Sequence, residues 1–224
     1  MTEIILMSDP RVAAVEVQEC GEPLVDVRRA GPVLIDERKR QDSAGAFVHL
    51  RKGVLVRLLE AQDLLPRGVQ LLFVEGYRPP SLQRRYFEAY AARLRDAHQE
   101  WSSEQVRSAA SRFVSPPEIA PHSAGAAVDL TLADDDGREL DMGTRMNATP
   151  EESEGACATA ADNIGREARS RRDLLGSALT TVGLVNYPTE WWHWSYGDRY
   201  WALATGAHAA HYGPAELDRS QPTA

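Results

Sequence analysis

An aspartate stands inside the most strand-like segment of this 224-residue chain. Residues 126–132 (AAVDLTL) alternate and contain β-branched side chains, which predicts a β-strand that holds Asp129 between the apolar Val128 and Leu130. A buried carboxylate carries a large energetic penalty unless a neighbouring group compensates its charge. We therefore expect a cation beside Asp129, either the side chain of an arginine or a bound metal ion.

Two histidines and a glutamate accompany this aspartate in short motifs. His122 opens the segment HSAGAAVD, which ends at Asp129, and His193 closes the segment EWWH, which begins at Glu190. Two imidazoles and a carboxylate can bind one zinc ion and leave a coordination position open for water, as catalytic zinc sites do. A base must also reach that water, and the spacing lets Glu190 do so while His193 binds the metal. The motifs together point to a metallopeptidase.

Each of these residues also has an ordinary structural explanation. An isolated histidine is more often packed or exposed than bound to a metal, as we expect for His98, His208 and His211. Glu190 on its own is consistent with an exposed acid at a strand edge. The tryptophans at positions 191, 192 and 194 are expected to pack the sheet and to wall the pocket in part. The combination of motifs, and no single residue, favours the metal site.

Composition and the N-terminal sequence disfavour several other classes of protein. The net charge of −8 disfavours nucleic acid as a partner, and no segment has the roughly 18–20 apolar residues of a membrane span. The N-terminal segment lacks a basic region followed by a long apolar run, so we predict no signal peptide and expect a cytoplasmic location. Cys20 and Cys157 are too few for a disulfide framework. Cys157 is either a small packed residue or a thiol that lines the pocket.

Hydrophobic periodicity predicts one α+β domain over residues 1–224, with a central antiparallel sheet flanked by helices and the zinc site on the sheet. The tail from about residue 213 is polar and is expected to be flexible. Helices are predicted at residues 47–64, 81–98, 103–113 and 161–182. Strands are predicted at residues 70–74, 126–132, 184–187, 191–196 and 200–204.

Three motifs together resemble the D-Ala-D-Ala dipeptidases, the VanX-type zinc peptidases of peptidase family M15. They are Glu75-Gly76-Tyr77-Arg78-Pro79, the segment HSAGAAVDLTL that begins at His122, and Glu190-Trp191-Trp192-His193. They follow the order of the family, and the Met142-Gly143 segment extends the resemblance. The His and Asp motif alone would indicate only the wider superfamily, which also contains peptidoglycan carboxypeptidases, endopeptidases and the hedgehog signalling domain.

The resemblance implies a role for each matching residue. His122, Asp129 and His193 would bind one zinc ion per chain. Glu190 would be the general base that activates water and then protonates the leaving amine. Arg78 would stabilise the oxyanion of the tetrahedral intermediate, because a guanidinium placed where negative charge develops favours the transition state. Without the other motifs, Arg78 would be interpreted as part of a surface salt bridge after a turn.

The segment that follows the aspartate strand departs from the family pattern. Asn147 stands where the family has an aspartate that pairs with the free amine of the substrate. An amide can hydrogen-bond to an ammonium group but does not neutralise it. Glu151, Glu152 and Glu154 follow closely and could supply the missing charge, or they could form a solvated acidic turn. Tyr77 and Ser123 complete the candidate substrate-binding residues, which are Asn147, Glu151, Glu152, Tyr77 and Ser123.

The expected function is hydrolysis of D-Ala-D-Ala, or of a similar small dipeptide of D-amino acids, with zinc as cofactor. One alternative is a related amide hydrolase with a shifted substrate, in specialised metabolism or on another cell-wall peptide. Another is a zinc-binding module without catalysis, which Glu190 and Arg78 disfavour because metal binding alone requires neither. The absence of a predicted export signal disfavours a carboxypeptidase that acts on the cell wall. The oligomeric state is not predicted.

Overall fold

A five-stranded sheet forms the centre of the protein in a computed structural model that describes residues 4–29, 33–36 and 45–217. The strands are β1 (Leu24–Asp26), β2 (Leu34–Ile35), β3 (His49–Arg51), β4 (Val69–Glu75), β5 (Ala127–Asp134), β6 (Val185–Asn186) and β7 (His193–Ser195). The helices are α1 (Pro10–Ala14), α2 (Lys52–Asp63), α3 (Pro80–Ala97), α4 (Ser103–Ala110), α5 (Arg166–Thr181) and α6 (Arg199–Thr205). The predicted α+β class is confirmed.

The order of strands in the main sheet is β2-β4-β5-β7-β6. The pairs β4–β5, β5–β7 and β7–β6 are antiparallel, whereas β2 and β4 form a parallel pair. The sheet predicted to be antiparallel therefore contains one parallel pair at its edge. A separate small sheet pairs β1 with β3. The register places Asp129 of β5 opposite Glu75 of β4 on one side and opposite His193 of β7 on the other.

The main core lies between this sheet and helices α2 and α5. Side chains four residues apart form the buried face of each helix, namely Val54 and Leu58 on α2 and Leu175 and Leu179 on α5. They pack with Leu130 of β5. Complete burial of such a side chain stabilises the fold by about 1.5–3 kcal/mol relative to exposure. Helices α2 and α5 thus support the sheet that carries Asp129.

Helices α3 and α4 pack on each other away from the main core. Phe87 and Tyr90 of α3 meet Val106 of α4 in a second buried cluster. A capping box formed by Ser102 and Gln105 fixes the start of α4, because each side chain bonds to the backbone N–H of the other residue. Among the residues that the structure describes, no helix combines the length and the apolar character needed to cross a membrane.

Three predicted elements differ from the structure, and one of them is the helix predicted at residues 161–182, which begins at Arg166 as α5. The strand predicted at residues 200–204 is helix α6, because Asp198 caps its first turn and Gly206 ends it in a left-handed conformation with φ of +72°. These caps outweigh the strand propensity of the aromatic residues between them. The helix predicted from about residue 47 begins at Lys52, because residues 49–51 pair with β1 as β3.

The segment before residue 218 is anchored to the rest of the protein. The hydroxyl of Tyr77 donates a hydrogen bond of 2.8 Å to the carbonyl of Ala215, and the amide of Ala215 donates one of 2.9 Å to the carbonyl of Ser123. Arg51 donates a further bond to the carbonyl of Gly213 over 3.1 Å. Gly213 and Ala215 are therefore hydrogen-bonded to the rest of the protein, the flexibility of the tail stays a prediction, and residues 218–224 lie outside the described part of the chain.

Candidate metal centre and active-site pocket

Three buried side chains bring their donor atoms together on the central sheet. His122, Asp129 and His193 each offer one atom, and these atoms lie within 4.8 Å of one another. Oδ1 of Asp129 is 3.3 Å from Nε2 of His122 and 3.0 Å from Nδ1 of His193. Two imidazole nitrogens and a carboxylate oxygen are a donor set that suits zinc. The sequence-predicted ligands therefore meet in one place.

A short 3-10 turn at Pro121–Ala124 delivers His122 to this cluster. The turn ends at Gly125 with φ of +65°, and a side chain at that position would collide with Leu24. Nδ1 of His122 lies 2.6 Å from the carbonyl oxygen of Gly76. Since a carbonyl can only accept a hydrogen bond, this contact places the proton on Nδ1. Nε2 of His122 is then free to bind a metal ion.

The loop before β7 places Glu190 beside the donor atoms. Its Oε2 lies 4.0 Å from Nδ1 of His193, and only 7% of the residue is exposed. Asn186 fixes the loop because its amide donates to the carbonyls of both Glu190 and His193 over 3.0 Å. Glu190 is thus held next to the candidate ligands without being one of the three that converge. From this position a carboxylate can accept and return a proton.

Burial and charge set the protonation of the cluster. Burial raises the pKa of Asp129, but the charges and hydrogen bonds of His122 and His193 outweigh it and hold that pKa well below its usual range. Burial lowers the pKa of His193, against the opposing effect of Asp129. An ionised carboxylate and a neutral imidazole are the forms that bind metals. Both shifts therefore favour the forms in which Asp129 and His193 bind a metal ion.

Arg78 follows β4 and lies at the edge of the metal cluster. Its Nε donates to the Glu75 carboxylate over 2.6 Å, and its Nη1 donates to the side-chain oxygen of Gln83 over 2.8 Å. Burial lowers the pKa of Arg78, but Glu75 and Asp129 raise it by more, so the guanidinium stays charged. Only 11% of its side chain is exposed. The ion pair with Glu75 is therefore buried, and the alternative of a surface salt bridge is wrong.

A pocket of about 500 Å³ opens onto the metal cluster. Arg78 and Glu190 line it together with the three candidate ligands. One wall comes from α3 and the segment after α4, and the other comes from the loop that follows β5. Prominent wall residues are Tyr86, Tyr90, Phe113, Arg145, Asn147 and Glu152. All five residues predicted to bind metal or to catalyse thus face one cavity.

Two of the predicted substrate-binding residues lie in this wall. Asn147 lines the pocket with a backbone φ of 60°, in the left-handed region. Glu152 also lines it, and its Oε2 accepts hydrogen bonds from Arg145 at 2.7 Å and from the amide of Thr149 at 3.1 Å. The carboxylate of Glu151 instead accepts a bond of 3.4 Å from the hydroxyl of Tyr90. Glu152 is therefore better placed than Glu151 to meet a substrate.

Tyr77 and Ser123 lie behind the pocket. Both residues are completely buried. The Tyr77 hydroxyl bonds to Ala215, and the Ser123 hydroxyl donates to the carbonyl of Arg78 over 3.0 Å. Their side chains support the catalytic segments and do not line the cavity. This placement corrects their assignment to substrate binding, which rested only on their position within the motifs.

Sequence reasoning missed the aromatic wall of the pocket. The helical spacing of Leu82, Tyr86, Tyr90 and Leu94 predicts that they share one face of α3. In the structure Tyr86 is 42% exposed and lines the pocket with Tyr90 and Phe113. Spacing shows which side chains share a face but does not show whether that face packs or borders a cavity. No signal in the sequence identified these residues.

Comparison with known proteins identifies the family. The family profile described as D-Ala-D-Ala dipeptidase, peptidase M15, matches residues 38–211. A D-alanyl-D-alanine dipeptidase from Synechocystis sp. is 31% identical over 220 residues, which cover 84% of this chain and 87% of that protein. A D-alanyl-D-alanine dipeptidase from Escherichia coli is 38% identical over 72 residues, which cover 32% of this chain and 35% of that protein.

Two solved structures are more distantly similar, each at 18% sequence identity. One is a mutant of the vancomycin resistance D,D-pentapeptidase VanY in complex with Zn(II), with a TM-score of 0.41 over 75% of this chain and 83% of that chain. The other is VanYB in complex with D-alanine-D-alanine, with a TM-score of 0.43 over 70% of this chain and 78% of that chain.

The protein is a peptidase, and its buried pair of histidines with an aspartate is the donor set of a metallopeptidase. The chain belongs to the peptidase M15 family. This family is zinc-dependent, and zinc is accordingly the cofactor that the cluster on the sheet suits.

Proposed function

We propose that the protein is a zinc-dependent dipeptidase that hydrolyses D-Ala-D-Ala or a similar small dipeptide of D-amino acids. The observation that carries this proposal is the convergence of the three donor residues with Glu190 and Arg78 on one pocket. The names of the two similar dipeptidases support the choice of substrate. His122, Asp129 and His193 would hold the zinc. A cytoplasmic location stays a prediction from the sequence.

Each residue at the cluster has a chemical task in this proposal. Zinc bound by the three donors would supply Lewis-acid chemistry, polarising a carbonyl and lowering the pKa of water. Glu190 takes a proton from the attacking water and returns it to the leaving amine, as its place beside His193 allows. Arg78 stabilises the negative charge that develops on the carbonyl oxygen. Because Glu75 and Gln83 already hold the guanidinium, little reorganisation is needed during the reaction.

A related amide hydrolase with a larger substrate is the second candidate. The pocket of about 500 Å³ lies in the range that accommodates drug-sized ligands, which are larger than a dipeptide of two alanines. Its wall adds Tyr86, Tyr90 and Phe113, which offer apolar contact area beyond what two methyl side chains need. These features favour a bulky or N-blocked substrate. They leave the roles of the metal cluster, Glu190 and Arg78 unchanged.

The test is a substrate panel measured with purified, zinc-loaded protein. D,D-, L,D- and L,L-dipeptides and N-acetyl-D-Ala-D-Ala should be compared by kcat/KM. The first proposal expects the unblocked D,D-dipeptide to be the best substrate. A clear preference for the N-acetyl compound would establish the second candidate instead. No hydrolysis of any amide by the zinc-loaded protein would contradict both.

The variant Glu190→Ala tests the proposed proton transfer. It should retain the fold and the zinc but lose roughly 10²–10⁴ in kcat, the usual contribution of general acid–base catalysis. Glu88→Ala is a matched control, because Glu88 is exposed on α3 and does not line the pocket. Activity of Glu190→Ala within a few-fold of wild type would rule out the assigned role.

Metal content tests the proposed ligands independently of activity. Elemental analysis should give close to one zinc per chain, and His122→Ala should lose it because one of three donors is removed. His208→Ala is the control, since His208 is exposed and lies outside the cluster. Full retention of zinc by His122→Ala would refute the ligand assignment.

A further inference from the structure

Two buried polar atoms near the metal cluster have no hydrogen-bond partner among the described residues. They are Nε2 of His193 and Oδ2 of Asp198. The two residues are 4% and 2% exposed, so bulk water does not satisfy these atoms. Most buried polar groups in folded proteins are hydrogen-bonded, and an exception calls for an explanation. One atom of this pair can donate a hydrogen bond and the other can accept one.

The orientation of His193 directs Nε2 away from the metal cluster. Its Nδ1 lies 3.0 Å from Oδ1 of Asp129, on the side where the three donor atoms converge. Nε2 occupies the opposite edge of the imidazole ring. The Tyr187 ring packs against both His193, at 6.1 Å between ring centroids, and Tyr200 in the first turn of α6, at 5.3 Å. The start of α6, where Asp198 is the N-cap, therefore lies close to His193.

The local fold fixes the position of Asp198. Its Oδ1 accepts hydrogen bonds from the amides of Tyr200 at 2.8 Å and Trp201 at 3.2 Å, as the N-cap of α6. The preceding Gly197 has φ of +78°, and a side chain there would come within 2.6 Å of the Tyr212 ring. The turn that joins β7 to α6 is thus confined to one conformation. Capping engages Oδ1 and leaves Oδ2 for another partner.

We propose that Asp198 is a positioning residue, whose Oδ2 accepts a hydrogen bond from Nε2–H of His193 when Nδ1 binds zinc. This inference rests on the proposed ligation of zinc by His193. A neutral imidazole carries one N–H, so a metal at Nδ1 requires the hydrogen on Nε2. That hydrogen is buried and needs an acceptor. A carboxylate behind a ligating histidine fixes the tautomer and the ring orientation and makes the nitrogen more basic.

The other candidate histidine ligand, His122, has a comparable acceptor behind its ring. Nδ1 of His122 donates to the carbonyl of Gly76, which leaves Nε2 toward the cluster. The two ligands would then use opposite nitrogens, each with an acceptor behind it. Asp198 differs from Gly76 in that its acceptor is a side-chain carboxylate, which makes the ligating nitrogen more basic. Its loss should therefore weaken metal binding and not only loosen the ring.

The variant Asp198→Asn tests this role because asparagine caps helices about as well as aspartate but is uncharged. Its zinc dissociation constant should be measured by competition with a chromophoric chelator, beside the absorption spectrum of the cobalt-loaded protein. Asp198→Asn should bind zinc about 10–100-fold more weakly and show an altered cobalt spectrum. The melting temperature of the zinc-free chain should stay unchanged. Asp9→Asn is the matched control, since Asp9 also caps a helix but its carboxylate pairs with Arg11.

An Asp198→Asn protein that is folded and binds zinc as tightly as wild type overturns the inference. Nitrogen-15 NMR of the zinc-loaded wild type provides a second test without any substitution. The inference expects a slowly exchanging proton on Nε2 of His193, and an unprotonated or rapidly exchanging Nε2 also overturns it. His193→Ala separates the two proposals. Retained zinc in that variant refutes the ligation itself, whereas loss of zinc with an unaffected Asp198→Asn refutes only the role of Asp198.

Discussion

Arg78 donates a hydrogen bond of 2.6 Å to the carboxylate of Glu75, which is completely buried. Gln83 holds a second nitrogen of the guanidinium and is itself fixed by a bond of 2.7 Å to the carbonyl of Ser115. The arginine is therefore oriented by partners on the side away from the pocket. A cation held in this way can stabilise developing charge without first being ordered by the substrate.

Glu75→Gln should lower kcat while leaving KM nearly unchanged. The amide keeps the shape of the side chain but removes the charge that balances Arg78. Loss of one partner of a buried ion pair is expected to destabilise the fold by about 3 kcal/mol. Steady-state kinetics and urea denaturation measure the two effects. Asp136→Asn is a control, because the ion pair of Asp136 with Arg138 is exposed and contributes little.

Arg78→Ala should reduce kcat more than it raises KM, because the guanidinium is proposed to meet the oxyanion and not the resting carbonyl. The measurement is kcat and KM on the best dipeptide of the panel. An effect confined to KM would make Arg78 a clamp for the carboxylate of the bound substrate. Comparison with Glu75→Gln then separates the effect of removing the guanidinium from the effect of misplacing it.

Asn147→Asp should increase kcat/KM for unblocked D-Ala-D-Ala by about tenfold, because a charge-assisted hydrogen bond to the substrate amine would replace a neutral one. Asn147 lines the pocket, and aspartate tolerates its left-handed backbone as well as asparagine does. The same substitution should not improve hydrolysis of N-acetyl-D-Ala-D-Ala. The ratio of kcat/KM for the two compounds is the measurement.

Glu152 is the competing source of charge for the substrate amine. If it fills this role, Asn147→Asp changes little and Glu152→Gln raises KM for the unblocked dipeptide. Glu151→Gln serves as the control, since the Glu151 carboxylate bonds to Tyr90 and does not line the pocket. Both explanations would be contradicted if the wild type and all three variants reject N-acetyl-D-Ala-D-Ala to the same extent.

Arg172→Met should destabilise the protein by about 3 kcal/mol and raise KM while zinc binding persists. Arg172 is 4% exposed, and burial lowers its pKa to about 10, so it remains charged at neutral pH. It ties the pocket loop to α5 by donating to the carbonyls of Met142, Ala156 and Ala158. Urea denaturation and limited proteolysis of the loop provide the measurements. Arg171→Met on the same helix should have a smaller effect.

Iodoacetamide should modify Cys20 and spare Cys157 in the native protein at mildly alkaline pH. Cys157 is 2% exposed and belongs to the main core, and burial raises the pKa of its thiol. It is therefore a packed residue and does not line the pocket. Cys20 is exposed. Intact-mass analysis of native and unfolded protein measures the labelling, and a native Cys20→Ser chain that still reacts would contradict the expectation.

The metal cluster could be predicted because its residues are chemically unusual where they occur. A carboxylate inside an apolar strand needs compensation, and Asp129 meets His193 through the regular register of β5 and β7. The pocket wall could not be predicted, since it joins side chains from α3 and from an irregular loop. Tyr86 shows this limit, because its helical spacing is the same for packing as for lining a cavity. The roles of Glu190 and Arg78 stay predictions until the variants are measured.

Where the side-chain pattern predicted the wrong element, hydrogen bonds at the ends of helices and strands determine the structure. The aromatic residues from position 200 favour a strand, yet Asp198 and Gly206 close both ends of α6. Leu50 fits the apolar stripe of α2 but lies in β3, because residues 49–51 pair with β1. In both cases the backbone hydrogen bonds outweigh the side-chain pattern, and these bonds depend on neighbours distant in the sequence.

The three candidate ligands also link distant parts of the chain. The Asp129–His193 contact joins residues 64 positions apart, and the His122–Gly76 contact joins residues 46 positions apart. A metal ion shared by these ligands would act as a reversible cross-link that the unfolded chain cannot reproduce. Free zinc at a thousand times its dissociation constant would stabilise the fold by about 4 kcal/mol. The cellular supply of zinc would then govern how long the protein survives as well as how fast it works.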